Sequence, residues 1–287
     1  MRSSLLSSLG LLLAIIFYAA AAGAQALQFP KAVEAGSAFS VPTSGSGKAT
    51  LYIVGPSQVL QRTLELGQEI AFERGDLSNA GHYTAFLVGP SVEAVDFDVV
   101  PASQPASISF LAKPSRLAVN LPHGISGVAY VFDIFRNLIL KPLPVSFQLS
   151  GTASPVQTQK VEASNGVAWV KMNSAPRSGT AQFEAAAGSV TEKRVIEQVP
   201  GDPCNLRMTA RPVGNRIDLQ TDPVRDCSGN PVPDGTIISF TETYKGTEST
   251  VDAPLKRGIA KTDLPANKGA VITVAAGVVL GNEIRWQ

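Results

Sequence analysis

The stretch that decides the fold is Asp226-Cys-Ser-Gly-Asn-Pro-Val-Pro-Asp-Gly-Thr-Ile-Ile-Ser-Phe240, because it has a counterpart 93 residues earlier in the chain. The earlier copy is Asp133-Ile-Phe-Arg-Asn-Leu-Ile-Leu-Lys-Pro-Leu-Pro-Val-Ser-Phe147, and the two align without a gap. Asp, Asn, Ser and Phe recur in register. This pattern is typical of a polar turn, a Pro-containing passage and a core strand whose Phe points inward. We therefore predict two copies of one fold.

The repeat continues beyond these segments. Asn165-Gly-Val-Ala168 matches Arg257-Gly-Ile-Ala260, and Ser178-Gly179 before Phe183 matches Lys268-Gly269 before Ile272. The downstream matches need short gaps, as loops of different length would produce. The similarity therefore extends over most of both copies.

Short strands are the dominant local signal. The candidate segments are rich in β-branched and aromatic residues and are separated by Gly, Pro, Asn and Asp. They are 49–54, 83–88, 128–132, 145–149, 167–170, 237–240 and 270–274. No amphipathic pattern of helical length occurs after the N-terminal region, so we predict an all-β fold.

Two short proline-bearing stretches, 101–105 and 200–203, lack apolar periodicity and are typical of stiff connections between compact modules. They divide the chain into modules of about 100 residues or fewer, the size of one β-sandwich. We predict sandwiches at 27–101, 105–199 and 203–287.

The first 24 residues have the pattern of a secretory signal peptide. A basic start at Met1-Arg2 precedes an apolar run from Leu9 to Ala22 that ends in small residues. Cleavage fits best after Ala24, with Ala26 as the second choice. The alternative is an uncleaved anchor, but the run is shorter than the roughly 20 residues that span a bilayer. We predict an exported protein of the periplasm, cell surface or medium, without stable membrane insertion after signal removal.

The third module resembles the bacterial immunoglobulin-like domains of invasin- and intimin-type surface proteins. The segment 226–240, followed by Gly258-Ile-Ala260 and then Gly269 before a terminal strand, carries this resemblance. The second module matches more loosely, since Leu138-Ile-Leu140 replaces Pro-Val-Pro. The resemblance implies tandem immunoglobulin-like sandwiches that act as spacers or adhesive modules.

The first module carries Asn79-Ala-Gly-His-Tyr-Thr-Ala85, which resembles the tyrosine-corner segment Asp-x-Gly-x-Tyr-x-Cys of immunoglobulin domains. The resemblance implies that Tyr83 is a structural corner: its ring packs in the core and its hydroxyl bonds to upstream backbone. Ala85 stands where those domains have Cys, so packing alone would hold this module.

Cys204 and Cys227 are the only cysteines, and both lie in the third module. If 206–210 and 216–220 form a hairpin, the two cysteines emerge at the same end of it. In an exported protein this geometry favours a disulfide. A free, buried or intermolecular thiol is the alternative.

Charge and residue usage argue against several functions. The chain has 24 basic and 23 acidic residues, without the excess of cations that nucleic acid binding needs. His82 and His123 are the only imidazoles and have no carboxylates or thiols at ligand spacing. The run Asp226-x-Ser228-x-Asn230 has Pro and Ile where a calcium loop needs Gly and Glu, so we interpret it as a structural turn. We predict no metal site, no cofactor and no enzymatic activity.

One apolar segment is hard to place in a core. Phe135, Leu138, Ile139 and Leu140 occupy what the repeat predicts to be a polar turn. If they are exposed, they form an apolar patch of the kind that marks an interaction site. If they are buried, they belong to the core.

These observations together predict an exported, non-enzymatic scaffold or adhesive protein that binds a protein or glycan of the cell envelope or surface. One alternative is a structural spacer or an envelope-assembly component that binds through a strand edge. An alternative from another class is an accessory module of a glycan-active enzyme, which would require convergent carboxylates.

Overall fold

A computed structural model describes residues 27–89, 92–151 and 154–287. The predicted signal peptide at 1–24 lies outside the described residues. Within the described ranges the regular structure is strand and no helix occurs. The predicted all-β class is therefore confirmed.

The first group of strands forms two sheets. One sheet has the order β1-β7-β6-β3-β4 and the other pairs β2 with β5. The strands are β1 (Ala32–Glu34), β2 (Phe39–Pro42), β3 (Lys48–Gly55), β4 (Gln58–Glu65), β5 (Glu69–Phe72), β6 (Gly81–Val88) and β7 (Val92–Val100). Alternate side chains from both sheets meet in one core, among them Leu51, Phe72 and Phe97. We call this group the first sandwich.

The second sandwich has sheets of order β13-β10-β8 and β12-β11-β14-β15-β9. Its strands are β8 (Ser107–Lys113), β9 (Arg116–Ala118), β10 (Ile125–Phe132), β11 (Leu143–Gly151), β12 (Ser154–Ala163), β13 (Val167–Met172), β14 (Gly179–Ala187) and β15 (Val190–Val199). Phe110 of one sheet packs on Phe147 and Phe183 of the other, with ring centroids 5.9 and 5.0 Å apart. These three buried rings close the interior between the sheets.

The third sandwich has sheets of order β17-β18-β22 and β21-β20-β23-β24, with a short pair β16-β19 beside them. The strands are β16 (Pro203–Cys204), β17 (Met208–Val213), β18 (Arg216–Thr221), β19 (Arg225–Asp226), β20 (Ile237–Tyr244), β21 (Thr247–Pro254), β22 (Lys261–Pro265), β23 (Val271–Ala276) and β24 (Val279–Arg285). The predicted hairpin is present as β17 and β18, with Met208 opposite Thr221. Residues of both large sheets share one core.

The strand order identifies the fold. In the third sandwich, β17-β18-β22 corresponds to strands A, B and E of an immunoglobulin domain, and β21-β20-β23-β24 to C′, C, F and G. The other two groups repeat the order C′, C, F, G, and each adds a short strand, β1 or β9, parallel to G. Each group is an immunoglobulin-like sandwich.

The sequence repeat is also a repeat of backbone structure. The pairs Asn165-Gly166 and Arg257-Gly258 both have positive φ angles, 50° and 75° against 55° and 76°. The N–H of Val131 donates to the Gly166 carbonyl oxygen, as that of Val224 does to Gly258. Phe147 and Phe240 are fully buried in corresponding strands.

By contacts the chain separates into two compact units. Unit 1 extends to Ala106 and includes the segment Phe132–Leu140. Unit 2 comprises Ser107–Val131 and Lys141–Gln287, and so contains the third sandwich and most of the second. The segment after β10 is therefore part of unit 1, which also contains the first sandwich.

Candidate binding site: two Asp–Asn turns and an adjoining groove

The first Asp–Asn turn, Asp133–Asn137, is organised around a buried carboxylate. Asp133 is 1 % exposed. Its Oδ1 accepts the N–H of Phe135 at 2.9 Å and that of Asn137 at 2.8 Å, and its Oδ2 accepts the Asn137 amide at 2.9 Å. Each of these bonds brings an N–H donor to a carboxyl oxygen, so both buried oxygens of Asp133 have hydrogen-bond partners.

The same turn bonds other parts of unit 1. The Asn137 Nδ2 donates to the Ser78 carbonyl oxygen at 2.7 Å, and its Oδ1 accepts the N–H of Ala80 at 2.9 Å. Asp133 Oδ2 accepts the N–H of Ala102 at 2.9 Å. The segment 132–140 is thus fastened to the loop before β6 and to the chain after β7.

The second Asp–Asn turn, Asp226–Asn230, repeats this network within unit 2. Asp226 Oδ1 accepts the N–H groups of Ser228 and Asn230 at 2.9 and 2.8 Å. Its Oδ2 accepts the Asn230 amide and the Gly201 N–H, both at 3.0 Å. The prediction of a structural turn whose side chains bond its own backbone is confirmed.

Asn230 then repeats the role of Asn137. Its Nδ2 donates to the Pro176 carbonyl oxygen at 3.1 Å, and its Oδ1 accepts the Ser178 N–H at 3.1 Å. Pro176–Ser178 immediately precedes β14, as Ser78–Ala80 precedes β6. The two turns therefore contact equivalent loops of two sandwiches.

The electrostatics of the second turn favour the ionised carboxylate. Burial acts to raise the pKa of Asp226, but hydrogen bonds from Gly201, Asn230 and Ser228 together outweigh it. The pKa of Asp226 therefore lies below its ordinary value. The charged form is the one that the folded state stabilises.

A disulfide braces the second turn. Cys204 and Cys227 are bonded, which confirms the predicted pair. Cys204 lies in β16, which pairs with β19, and Cys227 directly follows Asp226. The bond thus joins the chain entering the third sandwich to the turn itself.

The predicted apolar patch is divided by the structure. Ile139 is only 1 % exposed, so the expectation that it could contribute to a surface patch is wrong. Phe135 is half-buried and packs on the core of the first sandwich. Its ring lies against Gly36, where an added Cβ would be 2.1 Å from Cζ of Phe135. The ring therefore needs glycine at that position.

The other two patch residues line a groove. Leu138 and Leu140, the latter 53 % exposed, border a cavity of 470 Å³ in unit 1. Val100 and Pro101 extend the apolar wall, and His82 with Asp98 forms a polar side. We call this the Leu138–Leu140 groove. An apolar wall beside a few polar groups is the usual composition of a ligand site.

Sequence reasoning missed the polar side of this groove. The sequence has no carboxylate at ligand spacing from His82, but in the structure its Nδ1 lies 3.0 Å from Asp98 Oδ1 and its Nε2 lies 3.8 Å from Asp96 Oδ1. The two residues face each other because β6 pairs with β7 in the register His82 to Asp98. The signal that could have found the pair is this strand register. His123 is exposed, and its N–H donates to Asn173.

Tyr83 has the contacts of a tyrosine corner. Its hydroxyl donates to the Asn79 carbonyl oxygen at 2.8 Å, and the side chain is fully buried. The ring lies against Gly55, where a Cβ would come within 2.1 Å of it. Burial raises the pKa of the Tyr83 hydroxyl. Tyr83 thus fixes the loop 78–80 that the first Asp–Asn turn contacts.

In 27–89, 92–151 and 154–287, no three His, Cys, Asp or Glu side chains come together as a cation site would require. The same ranges contain no helix of the length and apolarity that crossing a membrane demands.

No protein-family profile matches the chain. No curated protein matches it in sequence either.

Two solved structures are similar in part. Invasin, described as a bacterial integrin-binding protein, aligns with 87% of this chain at 11% identity and a TM-score of 0.45. InvD of Yersinia pseudotuberculosis aligns with 90% of this chain and 96% of its own, at 12% identity and a TM-score of 0.49. The chain spans 56% of the invasin structure. The strand order of the three sandwiches identifies the immunoglobulin-like fold independently of these two structures.

Proposed function

We propose that the protein is an exported, non-enzymatic scaffold of tandem immunoglobulin-like sandwiches that binds a protein or glycan of the cell envelope or surface. The observation that carries this proposal is the Leu138–Leu140 groove, an apolar recess that adjoins the hydrogen-bonded first Asp–Asn turn. Rigid sandwiches that present loops and recesses are suited to recognition without catalysis. The disulfide supports an oxidising compartment, which agrees with export.

Binding is tested with the purified chain lacking the predicted signal. Material captured from an envelope extract is identified, purified and bound again, so that a dissociation constant can be measured. The double variant Leu138→Ser with Leu140→Ser should weaken binding by about tenfold or more, since a loss of roughly 1.4 kcal/mol corresponds to tenfold. Leu280→Ser, at a position 78 % exposed in the third sandwich, is the matched control.

The outcomes separate the candidate partners. Loss of capture after protease treatment of the extract identifies a protein, whereas loss after periodate oxidation identifies a glycan. Binding that the groove variant and Leu280→Ser weaken equally would contradict the groove as the site. Turnover of a glycan by the chain would contradict a non-enzymatic role.

Export is tested independently. Cleavage after Ala24 would give a mature N-terminus at Gln25, and cleavage after Ala26 one at Leu27. N-terminal sequencing of protein recovered from periplasm, surface or medium should find one of these. Protein that retains Met1 and stays in the cytoplasm would contradict export.

An envelope-assembly role has one specific observation in its favour. β4 and β5 are edge strands of the two sheets of the first sandwich, and an opening of 410 Å³ lies between them. An extended partner segment could add to such an edge. Lys48 lines this opening. A partner bound there would be cross-linked through Lys48 and would still bind the groove variant.

A further inference from the structure

The second Asp–Asn turn contacts the second sandwich through a side chain with unusual bonding demands. Asn230 is buried, and its amide donates to Pro176 and accepts from Ser178 while also donating to Asp226. The Asn amide carries two N–H donors and an acceptor oxygen on one planar group, so it can pair with a backbone C=O and N–H and still donate to Asp226. Aspartate cannot donate, and alanine does neither.

From this geometry we infer that the second Asp–Asn turn is a docking element that recognises the backbone of the loop Pro176–Ser178 and holds the second and third sandwiches in one fixed arrangement. Recognition of backbone groups places no demand on the side chains of that loop. The inference concerns unit 2 alone and does not depend on the groove, which lies in unit 1.

The contacts involve two chain segments of the second sandwich that lie side by side, since the N–H of Asn120 donates to the Ala175 carbonyl oxygen at 3.0 Å. Beside the Asn230 contacts to the loop before β14, Ser228 Oγ accepts a hydrogen bond from the amide of Asn120, which follows β9. A single contact leaves rotation free, but bonds from two different side chains of the turn, Ser228 and Asn230, restrain orientation as well as distance. The turn therefore restricts rotation of the third sandwich relative to the second, whereas a flexible linker would permit it.

The linker is tied to the same turn. Gly201 donates its N–H to Asp226, and Cys204 is bonded to Cys227. The short connection between the sandwiches therefore cannot move independently of the turn. Because buried polar groups left without partners are costly, each of these bonds favours the docked arrangement.

The experiment compares the alignment of the two sandwiches in the full mature chain. Residual dipolar couplings of backbone N–H groups are measured in a weakly aligning medium for the wild type, Asn230→Ala and Asn267→Ala. Asn267 is the matched control, because its amide bonds Glu242 inside the third sandwich and not the second sandwich. Urea unfolding of each variant shows how far the substitution destabilises the fold.

The wild type should fit one alignment tensor for both sandwiches. We expect Asn230→Ala to give two different tensors, with reduced magnitude in the third sandwich, while Asn267→Ala keeps a common tensor. An unchanged common tensor in Asn230→Ala would overturn the inference. If the alignment tensors of the two sandwiches differ to the same extent in both variants, the inference is also overturned. The arrangement of the sandwiches would then depend on the stability of the third sandwich and not on the Asn230 contacts. If Asn230→Ala does not fold, Ser228→Ala, at a less buried position, should give a smaller divergence of the same kind.

Discussion

The two Asp–Asn turns have the same hydrogen bonds and differ in what reinforces them. In both, the carboxylate accepts two N–H groups of its own turn, the Asn amide and one N–H from the preceding linker. The residues between Asp and Asn are different. The first turn has Ile134 and Phe135, and the second has Cys227 and Ser228 at the corresponding positions.

This difference separates what the turn requires from what it can vary. Asp and Asn recur because their side chains supply the bonds that close the turn and reach the neighbouring loop. The residues between them supply a second attachment, which is an aromatic ring over Gly36 in one case and a disulfide in the other. One is apolar packing and the other is covalent, so the two turns should respond differently to the same treatment.

Removing the disulfide should give the largest effect, and only in unit 2. The bond spans 23 positions, and closing such a loop contributes about 3 kcal/mol by the entropy of the unfolded chain. Cys204→Ser with Cys227→Ser should lower the free energy of unfolding of unit 2 by about that amount. Urea unfolding followed by amide signals of each unit measures it. Equal loss in both units, or none, would contradict the assignment.

Removing the aromatic ring should have the next largest effect, and only in unit 1. Phe135→Ala should lower the free energy of unfolding of unit 1 by about 2 kcal/mol. This is less than the loss expected for a fully buried ring, because Phe135 is half-buried. Ile134→Ala is the control, since Ile134 is 74 % exposed and its loss should cost under about 0.5 kcal/mol. If both variants lower the free energy of unfolding equally, the Phe135 ring does not stabilise the turn.

Acid should have the smallest of these effects, through Asp226. Its pKa is lowered in the folded state, so it stabilises the fold above the unfolded value of about 3.9, and this contribution is lost as pH falls through the folded pKa. Asp226→Asn should therefore reduce the loss of stability of unit 2 below about pH 4. Asp234→Asn is the comparison: Asp234 is exposed, and N–H bonds from Arg257 and Gly258 lower its pKa. An acid transition unchanged by Asp226→Asn would contradict this role.

Local patterns in the sequence predicted much of the fold. The segments 49–54, 83–88 and 145–149 lie inside β3, β6 and β11 because alternation and β-branched residues report burial directly. The hairpin β17-β18 and the disulfide followed from turn residues and spacing. The three-residue strands β1 and β9 were missed, since they are too short for alternation to register.

The candidate site was only partly predictable, because its contacts are distant in sequence. Asn137 bonds residues 57 and 59 positions away, and nothing in the local pattern names them. Ile139 is buried although its neighbours Leu138 and Leu140 line the groove, and a run of three apolar residues does not show which of them faces inward. The His82–Asp98 pair required the register of β6 and β7. Tertiary packing decided each of these.

The most direct test of the account is amide hydrogen exchange at the two recognised loops. Asn137→Ala should speed exchange of the Ala80 N–H, and Asn230→Ala that of the Ser178 N–H, each by roughly fivefold to tenfold for one lost hydrogen bond. Each variant should leave the other amide unchanged. Unaltered exchange at both amides, or equal acceleration of both in either variant, would contradict the claim that each Asn fastens its own loop.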